Sequence, residues 1–191
     1  MSDRRTEILT AATRVIARRG VRGLRVGELA AEAGVSAALI YYHFADRAAL
    51  LRETLGFIGD RAERYTTERG AAECRPDDPR DDLVQALLLE LQDTPEVREN
   101  STAWGELRAS AVFDGDLRED LARATHAWVH EIAMLLGQAD PAGTAPAHAA
   151  AAERLTTLLE GLSVRWLSGS LPLEQAQRVL REAVEAELTP R

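Results

Sequence analysis

The stretch Glu28-Leu-Ala-Ala-Glu-Ala-Gly34-Val-Ser36-Ala-Ala-Leu-Ile40-Tyr-Tyr-His-Phe44 decides the fold of this 191-residue chain. Two short runs with helical spacing flank Gly34, and each position carries the residue type that a helix-turn-helix needs there. Gly34 can take the positive φ required where one helix ends and the next begins. Ala30 is small where the two helices cross closely, while Leu29, Val35, Ile40 and Phe44 can share a core with Leu24 and the helix that precedes them. Ser36 is a good N-cap, leaving the backbone N–H groups of the second helix facing a groove, where they attract phosphate. That second helix, about Ala37 to His43, is the candidate reader of DNA.

On the N-terminal side, a first helix is predicted from about Asp3 to Arg19. Ile8, Leu9, Ala12, Val15, Ile16 and Arg19 lie along one stripe, Arg14 and Arg18 face away from it, and Gly20 is placed to end the helix. After a connection from Val21 to Arg25, the short helix from Val26 to Ala33 opens the motif. On the C-terminal side, Asp46 is an N-cap for a long fourth helix that carries Leu50, Leu51, Leu55 and Ile58 and fades near Gly70. Gly56 and Gly59 inside it favour close packing or bending. A linker from Gly70 to Arg80 follows, and five further helices have readable starts. These are Asp78-Pro79, with Leu83, Leu87 and Leu91 behind it; Thr94-Pro95, for a helix ending near Phe113; Asp116 with Glu119 as a capping box; Pro146; and Pro172. The last two helices are joined by a very short turn and are expected to pack antiparallel. No run of β-branched residues alternates with polar ones, so the chain reads as all-α, with about nine helices.

The formal charge of −8 at first argues against nucleic acid, but the two parts of the chain differ in sign. Residues 1 to 50 hold eight arginines against five acids, a balance of +3, and the remaining 141 residues carry −11. A phosphate backbone can be met favourably only by the N-terminal segment. No leader-like opening and no apolar run of roughly 20 residues is present, and the single cysteine, Cys74, has no partner for a disulfide or a metal nearby. A soluble, cytoplasmic protein is expected, with no membrane partner and no role for Cys74.

The motif now carries a specific resemblance. Residues 4 to 55, and above all Val35-Ser36-Ala37-Ala38-Leu39-Ile40-Tyr41-Tyr42-His43-Phe44 followed by Asp46-Arg47 and Leu50-Leu51, resemble the N-terminal domain of the TetR family of bacterial transcription regulators. The resemblance implies that Ser36, Ala37, Ala38, Tyr41, Tyr42 and His43 line the major-groove face or touch flanking phosphates. It also places Arg47 where the family commonly has a phosphate-binding lysine. Leu39 departs from the polar residue often found at its position, so a base hydrogen bond there is replaced by a possible contact with a thymine methyl group. From the residues alone, either tyrosine could instead be core. Arg22 or Arg25, the latter counted here among the DNA-binding residues, could be solvated charge, and Arg4 and Arg5 could form a basic arm or a loose terminus.

The resemblance further implies two domains, residues 1–50 for DNA and residues 51–191 for ligand binding and dimerisation. Leu155, Leu158, Leu159, Leu162 and Trp166 form one apolar stripe, and Leu173, Ala176, Leu180, Ala183, Val184 and Leu188 form another. Two such hairpins would make a four-helix dimer interface, with Leu155, Leu158, Leu159, Leu162, Trp166, Leu180 and Val184 at its centre. The same stripes would equally serve the core of one chain. The segment from Leu159 to Gly169 resembles the C-terminal domain of the BetI-type subgroup, named for a regulator of choline metabolism. A cationic ligand would want aromatic faces and a carboxylate, for which Phe57, Trp104, Phe113, Trp128 and Glu90 are the available types; each aromatic is otherwise ordinary core. His126 and His130 share a helix face, but that face is polar and reads as solvated rather than metal-binding.

No phosphate loop, nucleophile elbow or zinc-protease motif is present, so neither an enzyme nor a cofactor is expected. The reading is a homodimeric repressor that binds a palindromic double-stranded DNA operator and is released by a small-molecule effector. The alternatives are an activator, a ligand-independent regulator, or a helical interaction module without DNA binding.

Overall fold

The computed structural model describes residues 3–72 and 78–189, with side chains described outside 61–72; Cys74 and the middle of the linker, 73–77, lie outside the described residues. Among the described residues there are nine helices: α1 Arg4–Gly23, α2 Val26–Ala33, α3 Ala37–His43, α4 Arg47–Ala72, α5 Pro79–Leu88, α6 Pro95–Ala111, α7 Gly115–Ala139, α8 Ala145–Leu167 and α9 Leu173–Leu188. The all-α reading holds. No described helix is long and apolar enough to cross a membrane.

Most helix starts follow local chemistry visible in the sequence. Asp78 Oδ1 accepts the Arg80 N–H at 2.9 Å ahead of Pro79. Thr94 Oγ1 accepts from Val97 at 3.2 Å, and Asp46 Oδ1 accepts from Ala49 at 2.7 Å. Helix α7 departs from expectation: Asp114, not Asp116, caps it, with its Oδ1 accepting the Leu117 N–H at 3.2 Å. Asp116 lies inside the first turn, where its negative charge suits the helix N-terminus and its carboxylate lies 3.4 Å from Arg52. Helix α1 also departs. Gly20 takes φ 71° and ψ 169°, which kinks the chain, yet one more helical turn follows before Leu24.

The chain forms two compact units, Met1–Ala62 with Glu99–Ala124, and Glu63–Arg98 with Thr125–Arg191. Helix α6 and the start of α7 pack with the first unit. The first core joins Ile8, Ala12 and Ile16 of α1 to Leu29, Ile40, Phe44, Leu51, Leu55, Ile58, Ala103, Leu107 and Leu117. The helix-turn-helix therefore rests on α1, α4, α6 and α7 as one packed body. The second core joins Leu83, Leu87 and Leu91 to Ile132 and Leu136 of α7 and to the stripes of α8 and α9. Helices α8 and α9 run antiparallel, as the short turn requires. Arg154, in the first half of α8, makes a bidentate pair, at 2.7 and 2.6 Å, with Glu187 at the end of α9.

Candidate nucleic-acid interface

The corner between α2 and α3 is built as its residues dictate. Gly34 ends α2 with φ 64° and ψ 34°, and the Val35 N–H returns to the Ala30 carbonyl at 3.0 Å. Ser36 Oγ then accepts the Leu39 N–H at 3.2 Å and starts α3. Ile40 and Phe44 turn into the first core, so the opposite side of α3 faces out. Ala37 and Ala38 are exposed on it, with Tyr41 at 57% and Tyr42 at 81% exposure, so both tyrosines are surface residues rather than core. Leu39 and His43 are half-buried, and the His43 ring meets Tyr42 edge-on with centroids 5.2 Å apart. The two phenol rings thus stand side by side on the open face of α3, available to another molecule.

The +3 balance of the N-terminal segment resolves into a few available charges. Arg4 pairs with Glu7, Arg14 with Glu99, Arg18 with Glu32 and Arg19 with Glu28. Arg5 pairs with Glu53 and lies over the Phe44 ring at 5.6 Å, so it is held against the folded head and is not a loose arm. Among the described residues, Arg22 and Arg25 are exposed without an acidic partner, which suits phosphate contact at the edge of α2. Arg47 is engaged otherwise than expected. Its Nη2 donates to the Val21 carbonyl at 2.5 Å and its Nε to the Leu24 carbonyl at 3.4 Å. Guanidinium has five N–H donors, so part of it remains for a phosphate.

The residues proposed for a ligand are divided between the units. Phe57 and Trp104 pack half-buried against the first core, and Trp128 packs half-buried against the second. Phe113 stands in the turn after α6 at 86% exposure, where it lines no enclosed site; the helix stops at Ala111, before the phenyl ring could be carried inward. Glu90 follows α5 in the second unit. Withdrawal from water, reinforced by the Glu131 carboxylate, pushes its carboxyl up from the usual 4.5 to about 7. Glu131 lies three residues after Trp128 on α7, so the indole and carboxylate share a helix face. Sequence reading found Glu90 and Trp128 but missed Glu131, which looks like any solvated acid until its proximity to Glu90 is known. His126 and His130 are both exposed on α7.

The apolar stripes of α8 and α9 serve the single chain. Leu155, Leu159, Leu162, Leu180 and Val184 are all buried in the second core, Trp166 is 5% exposed beneath the Arg98 guanidinium, and Leu158 is half-buried. On the other side of α8, Ala150, Thr157, Gly161 and Val164 form an exposed row.

A helix-turn-helix with an outward aromatic reading face, joined in one chain to a second all-helical unit, defines a DNA-binding regulator. The comparisons agree. The pattern of "Bacterial regulatory proteins, tetR family" matches residues 8–54, and that of "BetI-type transcriptional repressor, C-terminal" matches residues 79–189. An HTH-type transcriptional regulator BetI from Agrobacterium fabrum is 28% identical over 170 residues, 89% of this chain and 80% of that protein. A solved chain from Rhodococcus sp., described as a TetR-family transcriptional regulator, superposes with a TM-score of 0.87 at 46% identity, covering 99% of this chain and 100% of its own. Another, from Saccharomonospora viridis and crystallised in complex with choline, gives a TM-score of 0.80 at 26% identity over 95% of each chain. The chain belongs to the TetR family of transcriptional regulators, and its C-terminal part is of the BetI type.

Proposed function

We propose that the protein is a homodimeric repressor whose α3 helices read two half-sites of a palindromic operator in successive major grooves, and that a small organic cation releases it. The observation that carries the cation is the cluster in the second unit: Glu90 and Glu131 close enough to disfavour double ionisation, with the Trp128 indole on the same α7 face as Glu131. Two carboxylates that repel one another gain when a positive charge enters between them, and an indole face attracts a quaternary ammonium. The choline held by the Saccharomonospora viridis relative supports a ligand of that class.

Specificity rests with Ala37, Ala38, Leu39, Tyr41, Tyr42 and His43, and the phosphate contacts with Ser36, Arg25 and the remaining N–H groups of Arg47. Selection of duplexes from a randomised pool with the full-length chain tests the first half of the reading. A palindromic consensus is expected, and no enrichment would sink it. Adding choline to the selected complex tests the second half. Dissociation at millimolar choline or below, lost in Glu131→Gln, is the expected result, whereas a complex indifferent to choline and betaine-type cations removes the cation from the account.

A further inference from the structure

Beside the shared core and the Arg14–Glu99 pair, one directional hydrogen bond links α6 to the reading head away from α4. The kink at Gly20 takes the backbone out of helical geometry, into a region open essentially to glycine, and turns the Val21 amide toward α6. There Glu106 Oε2 accepts the Val21 N–H at 3.2 Å, across 85 positions of sequence. A Cβ built on Gly20 would lie 2.7 Å from the same Oε2, which a flexible glutamate could relieve, so it is the positive φ that calls for glycine here. The other side of the same peptide segment is held by Arg47, which donates to the carbonyls of Val21 and Leu24. The connection between α1 and α2 is thus gripped from α6 through its N–H and from α4 through its C=O groups.

We propose that Glu106 is a positioning residue for DNA reading: by holding the Val21 amide it sets the angle at which α1 hands over to α2, and with it the posture of α3. A carboxylate–amide bond is directional and short-ranged, so a displacement of α6 by about 1 Å along its axis would break it. Helix α6 then becomes a second lever on the head, acting on α1 rather than through α4. The inference rests on α3 being the DNA-reading helix.

The test uses the full-length chain and three variants, Glu106→Ala, Glu106→Gln and, as a control on the same helix, Glu96→Gln. The probes are a duplex selected by the wild type from a random pool and a mixed-sequence duplex of equal length. Failure of that selection overturns the regulator reading itself, and Glu106 with it; success isolates the present question. Glu106→Ala is expected to speed exchange of the Val21 amide proton at least tenfold, and to weaken binding to the selected duplex about tenfold, the scale of one hydrogen bond to a charged group. Binding to the mixed duplex, held by phosphate contacts, should change less than twofold. Glu106→Gln keeps a carbonyl acceptor and should restore both properties, and Glu96→Gln should alter neither. If Glu106→Ala does not fold, Glu106→Asp, one methylene shorter, carries the same readouts. Val21 protection unchanged in the variant, faster Val21 exchange with unchanged specific binding, or a Gln variant as impaired as Ala would each overturn the role.

Discussion

Glu90 combines a carboxyl withdrawn from water with the field of Glu131, and the consequence for stability has a definite sign. The folded chain holds a proton on Glu90 up to about pH 7, whereas the unfolded chain releases it near 4.5. Between those values the folded state binds more protons, so stability falls as pH rises through the interval, and the full cost is present above pH 7. Allowing for its partial exposure, that cost is on the order of 2 kcal/mol. Glu90→Gln, which carries no charge to desolvate, should therefore be more stable than the wild type at pH 8 by about that amount, with the difference closing by pH 4.5. Thermal or urea unfolding across pH 4.5 to 8 measures it, and parallel curves would show that Glu90 is not perturbed. The same linkage makes cation binding at this cluster tighten as pH rises through about 7.

At the scale of the helix, α3 offers a separation of stability from recognition. Its buried side, Ile40 and Phe44, holds it to the first core, while Tyr42 at 81% exposure contributes little to that packing. Tyr42→Ala should leave the unfolding free energy within about 0.5 kcal/mol of wild type and should alter the sequence selected from a random pool. Ser36→Ala behaves differently, because Ser36 Oγ caps the helix. It should cost about 1 kcal/mol of stability and weaken DNA binding together. If Tyr42→Ala destabilises as Ser36→Ala does, the tyrosine is structural. Much of this element was legible beforehand. Gly34, Ser36 and the spacing of Leu29, Ile40 and Phe44 are local determinants, and local determinants are what a sequence displays. The role of Arg47 was not, since its partners are carbonyls at Val21 and Leu24, distant in sequence and invisible to any pattern. Glu106 escaped notice for the same reason, and Glu131 because proximity to Glu90 arises only when α5 and α7 pack in one unit.

At the scale of the whole molecule, the proposed dimer needs a surface, and the apolar periodicity of α8 and α9 does not name it. An amphipathic stripe shows that one face of a helix is buried, but the same periodicity results whether the cover is the chain's own neighbour or a second copy. That ambiguity is why Leu155, Leu159 and Leu180 could be assigned to pairing from sequence, although each is buried within the single chain. The two kinds of position then predict different failures. Leu159→Ala leaves a cavity in the second core and should cost about 2–5 kcal/mol of unfolding free energy. Val164→Asp places a charge on the exposed row of α8, where Val164 is 59% exposed and a Cβ at Gly161 would meet nothing within 4 Å. It should leave the helical content of the chain intact while raising the dimer dissociation constant at least tenfold, because desolvating one carboxylate against its symmetry mate on a two-fold axis costs more than 1.4 kcal/mol. Sedimentation velocity across a concentration series, read beside circular dichroism, separates the two outcomes. A Val164→Asp chain that sediments as the wild type does would exclude this row of α8 from the interface and direct attention to the charged outer side of α9, at Arg178, Glu182 and Glu185.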